Sequence, residues 1–75
     1  MEAAALRQVL VDKMLAQLQD ETYPSVTMMD RLEGALRTRE QVEDYTETLI
    51  AKVTSTQYPS ISMLNRIDAM LATLE

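Results

Sequence analysis

The chain has 75 residues, with seven basic and twelve acidic side chains, a net charge of −5, 47% hydrophobic residues and neither cysteine nor histidine. This excludes disulfides, Cys/His zinc sites and the histidine on which most general-base chemistry relies. The acidic balance works against general affinity for nucleic acid or anionic membranes. One glycine, two prolines and no Phe or Trp make the composition that of a helical domain, not of a sheet or a disordered tail.

At this length a single helical domain, residues 1–75, is expected. A core of this size supplies no more than about 3–5 kcal/mol of net stability. Small domains without disulfides or metals often gain the remainder by pairing with another chain. The N-terminal stretch Met1-Glu2-Ala3-Ala4-Ala5 carries an acid where a secretory leader carries positive charge. Arg7, Gln8, Asp12 and Lys13 then interrupt the apolar residues that follow. Neither a leader nor a membrane span is expected, and the cytoplasm is the expected compartment.

Helix 1 is predicted from about Glu2 to Asp20. At helical spacing Ala3, Leu6, Leu10, Val11, Met14, Leu15 and Leu18 form one broad face, opposite Gln8, Asp12, Gln19 and Asp20. Val9 falls among the polar residues, as an isolated exposed apolar side chain or part of a second contact surface.

Gln19-Asp20-Glu21-Thr22 leads into Tyr23-Pro24-Ser25. Proline cannot continue helix 1 and pushes the preceding residue out of helical geometry. Ser25 then caps helix 2, with Thr27 as the rival cap and Pro24 facing Met29. The tyrosine is expected to pack over the bend and close the end of the hairpin. Helix 2 places Val26, Met28, Met29, Leu32, Ala35 and Leu36 on one face, with Gly34 on its polar side.

The bend is written twice. Tyr58-Pro59-Ser60 repeats Tyr23-Pro24-Ser25, and the two prolines of the chain lie inside these tripeptides. Val26-Thr27-Met28-Met29-Asp30-Arg31-Leu32-Glu33 matches Ile61-Ser62-Met63-Leu64-Asn65-Arg66-Ile67-Asp68 in size and polarity. The offset of 35 residues holds without a gap from residues 6–40 onto 41–75. Such a period is that of a helix–turn–helix unit in tandem.

The junction, Leu36 to Tyr45, lacks glycine and proline. Thr38-Arg39-Glu40-Gln41 has the capping-box pattern. Arg37 and Arg39 also suit the negative end of helix 2, while Glu40, Glu43 and Asp44 suit the positive start of helix 3. These features predict a turn near Thr38. Against them, Met28, Leu32, Ala35, Val42, Leu49 and Val53 fall on one heptad that would run through a continuous helix, with Arg39 and Thr46 on the same seam. Helix 3 carries a narrower stripe, Val42, Tyr45, Leu49, Ile50 and Val53, and is expected to fray through Thr54-Ser55-Thr56. Helix 4 carries Ile61, Met63, Leu64, Ile67, Met70 and Leu71 on one face.

No serine or threonine is paired with a base. The carboxylates Glu40, Glu43, Asp44 and Glu47 lack the Asp/Asn alternation and glycine of a calcium loop. No catalytic, cofactor-binding or metal-ligating residue is therefore expected, and no cofactor or enzymatic activity. The six methionines suit a core, or less simply an adaptable groove for a partner helix. Ser60 to Arg66 resembles, in outline, the recognition helix of a helix-turn-helix, with Ser62, Asn65, Arg66 and Ala69 on its polar face and Arg31, Arg37 and Arg39 as a basic edge. Reading DNA requires several phosphate contacts, and the second copy contributes only Lys52 and Arg66.

The expectation is thus an all-α protein. Two tandem hairpins, Ala3–Leu36 and Arg39–Leu74, form a small four-helix bundle. The expected function is a non-catalytic, self-associating interaction module, dimeric by preference. Leu6, Val9, Leu10, Arg31 and Arg66 are its candidate surface. A small DNA-associated regulator is the alternative.

Overall fold

A computed structural model of the chain describes residues 2–75; Met1, at the head of the N-terminal stretch, lies outside them. The described residues form four helices and no strand: α1 Ala3–Asp20, α2 Val26–Ala35, α3 Arg39–Thr54 and α4 Ile61–Leu74. The all-α class is as expected, and the helix limits agree with the sequence reading to within a residue or two. The chain divides into two compact units, Met1–Arg37 and Thr38–Glu75. In the first α1 packs on α2, and in the second α3 packs on α4.

In the first unit α1 ends where the approach to Pro24 stops it, with the Glu21 amide donating to the Leu18 carbonyl at 3.2 Å. Ser25 opens α2: its hydroxyl accepts from the Met28 amide at 2.9 Å, satisfying one of the amides that a helix start leaves without an intrahelical partner. Ser25 and not Thr27 is the cap. The Ser25 amide is held in turn by the Glu21 carboxylate at 3.4 Å. The core of the unit is Val11, Met14, Leu15 and Leu18 from α1 with Met29, Leu32 and Ala35 from α2.

The junction turns. α2 stops at Ala35, Leu36 is extended, and Thr38 starts α3 with a complete capping box. The Gln41 amide donates to Thr38 Oγ1 at 3.1 Å, while the Thr38 amide donates to Gln41 Oε1 at 3.2 Å. Arg37 reaches back and donates to the carbonyls of Gly34 and Leu36 at 2.7 and 2.9 Å. It thereby neutralises the carbonyl end of α2. Arg39 is the first residue of α3 and pairs with Glu43, one turn on, at 3.1 Å.

In the second unit Tyr45 and Leu49 are wholly buried, and Ile67 of α4 is buried with them. Thr46 and Thr48 are buried too. Two hydroxyls can sit there because each donates to the carbonyl four residues back, Thr46 to Val42 at 2.7 Å and Thr48 to Asp44 at 2.9 Å. The C-terminus of α3 is tied rather than frayed. Ser55 Oγ and Thr56 Oγ1 both donate to the Lys52 carbonyl, at 2.9 and 2.8 Å, and their amides donate to Ala51 and Val53. Ser60 then caps α4, its hydroxyl accepting from the Met63 amide at 3.1 Å.

Candidate interaction surface

The surface is built on α1, and the lengths of the helices explain it. α1 has 18 residues and α2 has 10. At 1.5 Å per residue these are about 27 Å and about 15 Å, so α2 can flank little more than half of α1. Every buried residue of α1 lies between Val11 and Leu18, the half nearest the bend. Upstream, Leu6, Val9 and Leu10 are exposed at 53%, 57% and 51%.

The single broad face predicted for helix 1 is therefore two faces. Val11, Met14, Leu15 and Leu18 fill an arc of about 100° at 3.6 residues per turn, and Leu6, Leu10 and Val9 fill the adjoining arc of about 100°. Leu6 and Leu10 do not belong to the core stripe, as the periodicity suggested. Nor is Val9 isolated, because it stands next to them, with exposed Lys13 and Ala16 continuing the same side.

α4 shows the same division. Its shielded side is Met63, Arg66, Ile67, Met70 and Leu74, of which Ile67 alone is fully buried. Ile61, Leu64 and Leu71 are exposed at 73%, 41% and 39%. Sequence periodicity assigned these three to the core face. A helix with one neighbour covers a limited arc, and they lie beyond its edge. Val26 of α2 and Ile50 of α3 are likewise exposed.

The tyrosines correct a second expectation. Tyr23 and Tyr58 do not pack over the bends: they are exposed at 89% and 83%. The bends are closed by the serine caps, and proline holds each preceding tyrosine outside both flanking helices. Pro24 and Pro59 are half-buried, while Ser25 and Ser60 are exposed apart from their capping bonds. Tyr45, the third tyrosine, is the one that enters a core.

The arginines shared by the two copies sit differently. Arg31 is exposed on α2, whereas Arg66 is half-buried on the shielded side of α4 with Ile67 and Met70. Arg66 is thus absent from the polar face that a recognition helix would present, which leaves Ser62, Asn65 and Ala69 there. Among the methionines of the described residues, Met14 and Met29 are buried and Met28, Met63 and Met70 half-buried. No group of three or more acidic side chains among the described residues is placed to hold a metal ion, and no helix is long and apolar enough to cross a membrane.

Fold and surface together define an all-α protein with apolar helix faces open to solvent. Comparison with protein-family models, with curated proteins and with solved structures gave no match to this chain.

Proposed function

We propose that the chain is a non-catalytic protein-interaction module of the cytoplasm that associates with itself, its two hairpins being copies of one 35-residue unit. The observation that carries this reading is the exposed Leu6, Val9 and Leu10 on α1, beside the face buried against α2. Three neighbouring large apolar side chains on a rigid helix mark a contact site more readily than scattered ones do. The tandem relation is supported by the two bends. Ser25 and Ser60 have nearly the same backbone angles, φ −74°, ψ 141° and φ −72°, ψ 148°, and cap equivalent methionine amides.

A two-fold dimer is the expected form, the commonest closed assembly. Sedimentation equilibrium across micromolar to millimolar concentrations tests it. A mass rising to twice that of the chain is expected, and a constant monomer mass overturns the reading.

A further inference from the structure

The exposed face of α1 has a counterpart of opposite charge on α4. Along α1 it reads Leu6, Val9, Lys13, Ala16, and along α4 Ile61, Leu64, Asp68, Leu71, all exposed. Both follow steps of three, four and three residues, the a/d spacing of a coiled-coil seam. Each seam has one charged residue, in the same third place: a cation on α1 and an anion on α4.

Resting on the self-association proposed above, we infer that the α1 seam of one copy docks on the α4 seam of a second copy, in parallel. Charge decides among the pairings. Two α1 seams in register set Lys13 against Lys13, and two α4 seams set Asp68 against Asp68, each a like-charge contact inside an apolar strip. The mixed pairing sets Lys13 against Asp68. Direction follows from the same pair. In parallel, Leu6 meets Ile61, Val9 meets Leu64, Lys13 meets Asp68 and Ala16 meets Leu71. An antiparallel alignment of the same four positions sets Lys13 against Leu64 and Asp68 against Val9, leaving each charge on an apolar partner. A single polar pair at such a position fixes register and partner at some cost in affinity. Two such contacts, exchanged between two copies, close a dimer without an open end.

The test is a charge exchange read by sedimentation equilibrium, with circular dichroism to confirm that each variant keeps the helicity of the parent. Lys13→Glu and Asp68→Lys each weaken the dimer by about fivefold or more, since each creates a like-charge contact. The double variant Lys13→Glu/Asp68→Lys returns the dissociation constant to within about twofold of the parent, as a coupled pair requires. Equal mixing of the two single variants also restores the dimer, as a heterodimer in which one contact joins the two exchanged charges and the other keeps the parental Lys13 against Asp68. A dimer untouched by the single changes, or a double variant as weak as the two effects combined, overturns this pairing while self-association stands. A parent chain that stays monomeric overturns both.

Discussion

Thr38 and Gln41 hold each other at the start of α3, each backbone amide donating to the other's side chain, at 3.1 and 3.2 Å. This reciprocal bond settles how the two hairpins are joined. The heptad through Met28, Leu32, Val42 and Leu49 would suit one continuous helix, in which Thr38 would contribute no cap. A helix start satisfies its amides from outside, and here a threonine and a glutamine three residues on do so. Replacing Thr38 by alanine should lower the unfolding free energy by about 1 kcal/mol, measured by urea titration. A change indistinguishable from zero would mean the cap is not formed in solution.

The two serine caps should be nearly interchangeable. Ser25→Ala and Ser60→Ala each remove one bond to a methionine amide, of 2.9 and 3.1 Å, in almost the same backbone geometry. Each should cost about 1 kcal/mol, and the two costs should agree within about 0.5 kcal/mol, the usual margin for independent sites. A large cost at one bend with none at the other would show that the bends have unequal roles.

Gly34 is a site where the protein gains. It lies inside α2, a Cβ added there meets nothing within 4 Å, and its φ is not positive. The Arg37 bond to its carbonyl does not depend on the side chain. Gly34→Ala should therefore stabilise by about 0.5–1 kcal/mol, seen as a higher melting temperature by circular dichroism. Destabilisation would contradict the open surroundings of that position.

Leu10 and Leu18 should separate association from folding. Leu18 is wholly buried and Leu10 half exposed. Leu18→Ala should cost about 2–5 kcal/mol of folding stability. Leu10→Glu should leave the monomer's stability within about 0.5 kcal/mol, as surface changes usually do, and shift any dimer towards monomer. Loss of helicity in Leu10→Glu at low concentration would place Leu10 in the core after all.

The Arg39–Glu43 pair should contribute little. Its side chains are 68% and 46% exposed, so solvent screens the attraction. Glu43→Gln should change stability by less than about 0.5 kcal/mol. A larger loss would mean that Glu43 serves a second partner.

The features readable from residue order alone are those that depend on a few neighbouring residues. Proline before serine ends one helix and starts the next at both bends. Thr38 with Gln41 starts α3, and Arg37 closes α2, because capping is a contact across three or four positions of one chain. The side chains that face solvent were not legible in this way. Periodicity sorts apolar from polar residues around a helix, but it does not contain the length or the width of the helix packed against it. The packed structure is what places Leu6, Val9 and Leu10 outside the face that α2 covers. Only it decided that Ile61, Leu64 and Leu71 lie beyond the arc α3 covers, that Thr46 and Thr48 are buried, and that Tyr45 enters a core while Tyr23 and Tyr58 stand in water. Burial is set by what a distant segment reaches, and reach is a property of the packed helices, not of the local pattern.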